Sequence, residues 1–479
     1  MWSRSVAVLV VIAASAIPAA AQEWRPEVLR GLDAKAETYG QLSRTIWEAA
    51  EVGYKETRSS AVLRDELKAA GFRVDEGVAG MPTAFVATWG SGAPVIGIMG
   101  EFDALPGLSQ ETVPEQKARV AGAPGHGCGH NLLGVASLGA ALAVKAQLES
   151  RKLPGTIRYY GTPAEEGGNG KVYMVRAGLF KDADVVLHWH PNDRNIATGA
   201  STMAVISAKF RFKGIAAHAA SAPDKGRSAL DAVMVMTHAV DLLREHIPQE
   251  SRMHYIITRG GVAPNIVPEQ AEIYMYARHP KIAVLDGIWE RVVKTAEAGA
   301  LATGTTMEME LVGSTPEVLP NEALTTLLDK NLREVGGVTY TAEERAFAAT
   351  LQKTFMPGTA REIEDAATVR PPQEPVSLGS TDAADVSWVV PSGWILAATY
   401  VPGTPGHSWQ ATACTGGSIG RKGMMVAAKT LALTAMDLLT DPAKVATARA
   451  SFEKTKGTAV YRSRVPETAG PPLGYRDVK

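Results

Sequence analysis

The chain has 479 residues, of which 46% are hydrophobic and 21% are charged, and its formal net charge is −1. Such a balanced charge argues against a nucleic-acid-binding surface, and the length predicts two or more domains. Only two cysteines, Cys128 and Cys414, are present. They exclude a disulfide framework and allow one bridge at most, and if Cys128 binds a metal, Cys414 is expected to be a small buried residue.

The N-terminus has the pattern of a secretory signal peptide. Arg4 is followed by an apolar stretch at residues 6–17 and by three alanines, 19–21, that form a cleavage site before Gln22. We therefore expect residues 1–21 to be removed and the mature protein to be soluble, periplasmic or secreted, and without a membrane partner. The alternative is an uncleaved N-terminal anchor, but no stop-transfer charge cluster follows.

Residues 22–204 alternate between helical and strand patterns, which predicts the first part of an α/β catalytic domain. The predicted helices cover residues 39–51, 59–70 and 132–148, and the predicted strands cover 84–89, 95–100, 156–160 and 184–187. In such a domain, ligands bind at the carboxyl edge of the sheet. The polar motifs of this region follow predicted strand ends, and we expect them to meet at that edge.

Residues 205–315 change to the order β-α-β-β-α-β, which predicts a separate ferredoxin-like α+β domain. Its predicted strands cover 205–213, 253–259, 271–278 and 306–312, and its predicted helices cover 228–246 and 284–303. Residues 316–479 return to the catalytic domain. They include a predicted strand at 394–400, a predicted helix at 420–439 and a tail from Val465 without regular structure.

The main chemical motif is the glycine-rich turn that carries Cys128 and His130. A cysteine and an imidazole two residues apart can both reach one divalent cation, although a tight turn with buried polar groups has the same sequence pattern. Glu165 and Glu166 follow a predicted strand. They offer one carboxylate as a ligand and another as a base that deprotonates water, although an isolated glutamate pair is usually a solvated surface feature.

The strand ends carry more ligand side chains than one metal ion needs. The candidate ligands are Cys128, His130, Glu166, one of His188 and His190, and His407. This set suits two cations about 3.5–4 Å apart. Thiolate and imidazole favour zinc whereas the carboxylate also suits manganese, so the ligand types leave the metal open. Asp103 follows another strand and could orient a ligand histidine.

Several motifs together resemble those of one known family. They lie at residues 125–131, 163–168, 214–220, 260–265 and 406–407. From about residue 39 to 439 the chain resembles the M20 family of metallopeptidases and amidohydrolases. Residues 100–105 and 380–388 also resemble the branch that contains the p-aminobenzoyl-glutamate hydrolase B subunit. The resemblance implies a bimetal catalytic domain interrupted by a smaller dimerisation domain, and hence a homodimer.

The resemblance also implies roles for the metal-binding and catalytic residues. The implied ligands are Cys128, His130, Glu166 and His407, with Glu165 as the general base and Asp103 steadying the site. The remaining ligand is His188 or His190. We favour His190, because the Trp-His-Pro form at this strand end matches the nearest branch.

Three residues of the inserted domain match family motifs for substrate handling. His218 would cross the dimer to stabilise the tetrahedral oxyanion, and Asn265 and Arg278 would hold the substrate carboxylate. A planar guanidinium suits that role because it can bind a carboxylate through two hydrogen bonds.

We therefore expect metal-dependent hydrolysis of an amide bond in a small carboxylate-bearing substrate, of the N-acyl amino acid or aminobenzoyl-glutamate type. A dipeptidase or carboxypeptidase is the first alternative. A non-catalytic exported ligand-binding protein is the second, but binding alone requires no general base at Glu165.

Overall fold

The computed structural model describes residues 24–372 and 376–477, so the predicted signal peptide lies outside the described residues. The helices are α1 (Trp24–Ala34), α2 (Ala36–Ala49), α3 (Thr57–Ala69), α4 (His130–Arg151), α5 (Gly170–Arg176), α6 (Ala229–Leu243), α7 (Ile282–Thr303), α8 (Glu322–Val335), α9 (Ala342–Gln352), α10 (Ala383–Ser387), α11 (Trp409–Thr415), α12 (Ser418–Thr440) and α13 (Pro442–Lys456). The strands are β1 (Arg73–Glu76), β2 (Phe85–Ser91), β3 (Val95–Gly100), β4 (Gly155–Gly161), β5 (Val185–Asn192), β6 (Asn195–Thr198), β7 (Ala204–Lys213), β8 (Arg252–Arg259), β9 (Gln270–His279), β10 (Thr306–Thr315), β11 (Val369–Arg370) and β12 (Ser392–Ala398).

The larger sheet has eight strands in the order β1-β2-β4-β3-β5-β12-β6-β11. Its centre is parallel, because β3 pairs in parallel with both β4 and β5, and β5 pairs in parallel with β12. The carboxyl ends of these four strands therefore lie at one edge, as the α/β pattern of the sequence predicts. The fold class is α/β.

Both faces of this sheet are covered, because alternate side chains of β5 are buried in two different hydrophobic clusters. Val185, Leu187 and Trp189 are fully buried in the cluster that includes α4 and α12. Val186 belongs instead to a cluster with α5 and α10 on the opposite face. Because side chains alternate along a strand, His188 and His190 lie on the face of Val186.

Helices α4 and α12 are long and apolar because they pack within the core. By length and composition each could cross a membrane, but 78% and 89% of their most apolar windows are buried in the protein. A helix that is apolar all round and covered by other elements is a core helix of a large domain.

The second sheet has four antiparallel strands in the order β10-β7-β9-β8, and α6 and α7 cover one face. The chain order β7-α6-β8-β9-α7-β10 is the β-α-β-β-α-β order predicted from the sequence. Among the described residues, 23 buried side chains of this unit form a hydrophobic cluster of their own.

Three local expectations differ from the structure. Strand β5 continues past the predicted end at residue 187 through Pro191 to Asn192. The continuation is possible because β3 pairs only with residues 185–187, so Pro191 faces no hydrogen-bonding partner on that side. Seven helices had no counterpart in the sequence prediction: α1, α5, α8, α9, α10, α11 and α13. The tail after Val465 is irregular as expected. It also contacts Arg176 of α5 and the backbone of Glu166 after β4, and the sequence did not indicate these contacts.

Candidate active site

A cavity of about 540 Å³ lies at the carboxyl edge of the large sheet, between this sheet and the inserted domain. Its catalytic-domain wall includes Cys128, Glu165, Glu166, His190 and His407. Its other wall includes Tyr276 and Arg278 of β9. Most of the predicted site residues therefore surround one space, although they come from five distant segments.

The Cys128 turn needs its glycines for steric reasons. Gly129 has φ of 77° and leads directly into α4, a backbone conformation that side chains with Cβ disfavour. A Cβ on Gly125 would lie 2.0 Å from the carbonyl oxygen of Leu108. This tight path places Sγ of Cys128 3.3 Å from Nε2 of His190.

Asp103 connects two parts of the site. Its Oδ1 lies 3.0 Å from Nδ1 of His130, and its Oδ2 accepts a hydrogen bond of 2.9 Å from the backbone N–H of Glu166. His130 and Asp103 are both buried. Asp103 therefore fixes the orientation of the His130 ring and holds the glutamate loop beside it, which is the arrangement expected of a carboxylate behind a metal ligand.

The two glutamates lie on a constrained loop after β4. Ala164, just before them, has φ of 58°, and its N–H donates to Oε1 of the buried Glu56 at 2.8 Å. Oε1 of Glu166 lies 3.4 Å from Nε2 of His407. Burial, and then the negative charge of Glu166, raises the pKa of the Glu165 carboxyl well above its usual range.

Within residues 24–372 and 376–477, three groups of side chains could each hold a metal ion. They are Cys128 with His130 and His190, Cys128 with Glu166 and His407, and His130 with Glu165 and Glu166. Within each group the ligand atoms lie within 4.8 Å of one another. Since Cys128, His130 and Glu166 each occur in two groups, the three groups form one continuous cluster.

The donor chemistry of this cluster fits divalent cations. Nε2 of His130 and Oε1 of Glu166 are buried and, although they lie 3.2 Å from Glu101 and 3.4 Å from His407, neither makes a hydrogen bond of acceptable geometry with a described residue. Burial, and then the charge of Glu166, raises the pKa of the Cys128 thiol well above its usual range. A cation at this position would satisfy the free lone pairs and stabilise the thiolate.

The two histidines of β5 have different surroundings. His190 lies beside Cys128 and within the ligand cluster. His188 lies deeper, with Nε2 3.4 Å from Oε1 of Glu101, and it belongs to none of the three groups. The geometry therefore favours His190, the residue expected from the sequence, as the ligand.

Sequence reasoning missed a buried charge network beneath the ligands. Glu101 contacts Nε2 of His130 at 3.2 Å and Nζ of Lys171 at 2.7 Å. Lys171 also contacts Asp382 at 2.5 Å. Glu101 and Asp382 lie within motifs that carried the family resemblance, but no role was assigned to them. No motif or periodicity in the sequence pointed to Lys171.

The three predicted substrate-handling residues occupy different places. Arg278 lines the cavity, and its Nη1 donates to Oγ of Ser380 at 3.0 Å. His218 and Asn265 are exposed on the inserted domain and do not line the cavity in the single chain. Their backbones are adjacent, since the N–H of Ala219 donates to the carbonyl of Asn265.

The C-terminal tail adds another residue that sequence reasoning missed. Arg476 lines the cavity, and both it and Tyr475 donate hydrogen bonds to the backbone carbonyl of Glu166. Nothing in the periodicity or the motifs of residues 465–479 indicated this contact.

Comparisons with known proteins agree with this geometry. The family model described as peptidase family M20/M25/M40 matches residues 97–431. The chain belongs to this family. It is a hydrolase of the M20 type, and its resemblance to the p-aminobenzoyl-glutamate hydrolase B branch is also confirmed.

Two curated relatives and one solved structure are similar over most of their length. The B subunit of p-aminobenzoyl-glutamate hydrolase from Escherichia coli (strain K12) is 39% identical over 466 residues, which cover 92% of this chain and 97% of that protein. The mouse Xaa-Arg dipeptidase is 32% identical over 438 residues, covering 88% of this M20 chain and 90% of the relative. A Bacillus subtilis protein described as a dinuclear metal binding peptidase from the M20 family has a TM-score of 0.54 at 19% identity, covering 85% of this chain and 99% of its own.

Proposed function

We propose that this M20 enzyme hydrolyses the amide bond of a small carboxylate-bearing substrate, of the N-acyl amino acid or aminobenzoyl-glutamate type. The observation that carries the proposal is the convergence of the ligand cluster, Glu165 and Arg278 on one cavity. The similarity to a protein named as the B subunit of a p-aminobenzoyl-glutamate hydrolase supports the substrate class.

Cys128, His130, Glu166, His190 and His407 would hold two divalent metal ions, zinc or manganese. The chemistry that such ions supply when bound is polarisation of the scissile carbonyl and a lowered pKa of water. The description of the Bacillus subtilis protein as a dinuclear metal binding peptidase supports this assignment.

Glu165 would act as the general base. It lines the cavity next to the ligand Glu166, where water held at the ligand cluster would lie. It would take a proton from the attacking water and return it to the nitrogen of the leaving amine. Asp103 holds the backbone of the adjacent Glu166 in place.

Arg278 would bind the substrate carboxylate. Of its guanidinium nitrogens, only Nη1 makes a hydrogen bond with a described residue, to Ser380. A carboxylate in the cavity could accept from the remaining Nη N–H groups. Binding at this point would orient the scissile amide towards the ligand cluster.

His218 and Asn265 would complete the site from a second copy of the chain. This role requires a homodimer formed by the domain inserted at 205–315 between the two parts of the catalytic domain, 22–204 and 316–479. Edge strand β8 exposes Ile256 and Ile257, with exposed fractions of 61% and 47%, which supports an interface there. The N-terminal pattern of residues 1–21 supports export to the periplasm or beyond.

A chelation experiment tests the function directly. The purified protein is dialysed against a strong chelator, and free amine is measured after incubation with 4-aminobenzoyl-glutamate and N-acyl amino acids. We expect turnover to be lost and to return when zinc or manganese is added. Full activity in chelated protein that elemental analysis shows to be metal-free would contradict the proposal.

A dipeptidase is the second candidate, because the mouse Xaa-Arg dipeptidase is 32% identical over nearly the whole chain. Both activities would use the same base and ligand set. A panel that includes Xaa-Arg dipeptides beside the acyl conjugates distinguishes them by kcat/KM.

A further inference from the structure

We infer that Arg476, at the end of the C-terminal tail, is a specificity-determining residue that binds a second carboxylate of the substrate. The inference rests on the proposed function. It narrows the substrates to those whose amino-acid half carries two carboxylates. It follows from the position of Arg476, the way the tail is held, and the unused donors of its guanidinium.

Arg476 stands in the cavity wall near Tyr276, which also lies beside Arg278. The guanidinium carbon of Arg278 is 5.7 Å from the Tyr276 ring centroid. A Cβ on Gly167 would lie 3.4 Å from the Tyr276 hydroxyl and 3.8 Å from Nη2 of Arg476. The cavity therefore has two guanidinium groups on the side where the family resemblance expects the acid part of the substrate.

The tail is anchored on both sides of this arginine. The Tyr475 hydroxyl donates to the carbonyl of Glu166 at 3.0 Å, and its ring packs edge-on against Tyr54 with centroids 5.8 Å apart. Lys55 pairs with Asp477 at 3.1 Å. Gly53 leaves the necessary space, because a Cβ there would lie 2.4 Å from the Tyr475 hydroxyl.

Before Tyr475, the tail contacts helices on both sheets, α10 beside the large sheet and α7 on the four-stranded sheet. Tyr461 donates to Asp385 at 2.6 Å, and Arg464 makes two hydrogen bonds of 3.1 and 3.0 Å to Asp286 of α7. Arg176 donates to the carbonyls of Glu467 and Ala469. These contacts fix the path of the tail, so Arg476 is a positioned part of the cavity wall.

The bond to the Glu166 carbonyl uses only part of the guanidinium. Arginine has five N–H donors, and of the three guanidinium nitrogens of Arg476 only Nη2 makes a hydrogen bond with a described residue. Since Arg476 lines the cavity, a carboxylate there could accept from the remaining Nη N–H groups. If Arg476 served only to donate a hydrogen bond to the Glu166 carbonyl, a neutral side chain would be sufficient.

Matched substrates test the role of Arg476. The probes are 4-aminobenzoyl-L-glutamate and 4-aminobenzoyl-L-glutamine, which have nearly the same shape and differ in the second carboxylate. In the metal-loaded wild type we expect kcat/KM to favour the glutamate conjugate by about 10- to 100-fold, the range expected of a charge-assisted hydrogen bond pair. Arg476→Gln, which keeps an amide donor near Glu166, should remove this preference mainly through KM. Arg476→Lys should restore part of it.

Arg73→Gln is the control, because Arg73 pairs with Asp75 at an exposed site that belongs neither to the tail nor to the cavity wall. It should leave the glutamate-to-glutamine ratio unchanged. If Arg476→Gln lowers kcat/KM for both conjugates equally, or if the wild type shows no preference, the inference is wrong while the hydrolase function stands.

A binding measurement keeps the test independent of turnover. If the wild type cleaves neither conjugate, the proposed function fails, and calorimetry with free L-glutamate and L-glutamine then decides the role of Arg476. Weaker glutamate binding in Arg476→Gln, with glutamine unchanged, would support it. Equal glutamate binding in the wild type and the variant would overturn it.

Discussion

Nζ of Lys171 lies 2.7 Å from Oε1 of Glu101, and both side chains are fully buried beneath the candidate metal ligands. Lys171 also contacts the buried Asp382. A single ammonium group therefore pairs with two carboxylates that water cannot reach.

We expect Lys171→Met to lower the free energy of unfolding by about 3–5 kcal/mol, because it removes the ammonium group that pairs with two buried carboxylates. Urea unfolding of the metal-loaded protein measures this loss. Lys117→Met is the matched control, since Lys117 pairs with Glu111 at an exposed site, and its cost should stay below about 1 kcal/mol. Similar losses in both variants would contradict the importance of the network.

Glu165→Gln should reduce kcat by about 10²- to 10⁴-fold, because the amide cannot accept the proton from water. Metal content should remain near that of the wild type, since Glu166 keeps its carboxylate. Steady-state kinetics and elemental analysis of the same preparation measure both effects. Glu149→Gln on the surface is the control and should leave both unchanged. A variant that retained wild-type kcat would exclude Glu165 as the base.

His190→Gln and His188→Gln should affect metal binding differently. His190 lies beside Cys128, whereas His188 faces Glu101, so only the first variant removes a ligand from the cluster. We expect His190→Gln to lose bound metal on dialysis and His188→Gln to retain it. Metal stoichiometry after dialysis against metal-free buffer gives the result. The reverse pattern would reassign the ligand to His188.

Asp385 should make stability depend on pH. Burial raises the pKa of this carboxyl to about 7, against about 3.9 in an unfolded chain. The folded state therefore holds the proton more tightly than the unfolded state. The stability from this site is present in full below about pH 4 and is lost as pH rises to about 7.

Asp385→Asn removes this titration, and the neutral amide can still contact Thr315 and Tyr461, whose hydroxyls both donate to the carboxyl. Between pH 5 and pH 8 the wild type should lose about 2–3 kcal/mol relative to the variant. Urea midpoints at the two pH values measure the difference. Parallel pH profiles of the two proteins would show that Asp385 is ionised in both states.

Much of the fold could be predicted from local patterns. The strand predicted at 95–100 has the bounds of β3, and the β-α-β-β-α-β order of the inserted domain is the order observed. These elements have clear apolar periodicity and glycine or proline at their ends. The end of β5 was misjudged, because a proline weakens a strand only when its nitrogen faces a partner, and that depends on the pairing of β3.

The sequence by itself determined the kinds of ligand and the segments that carry them, because cysteine, histidine and glutamate at strand ends must meet at one edge of a parallel sheet. Only the tertiary structure decided which histidine lies beside Cys128, that Lys171 meets Asp382 across 211 residues, and that Tyr475 reaches Glu166 across 309. Local periodicity reports which face of an element is buried. It contains no information about which distant side chain packs against that face, and the charge network and the Arg476 contact both depend on such packing.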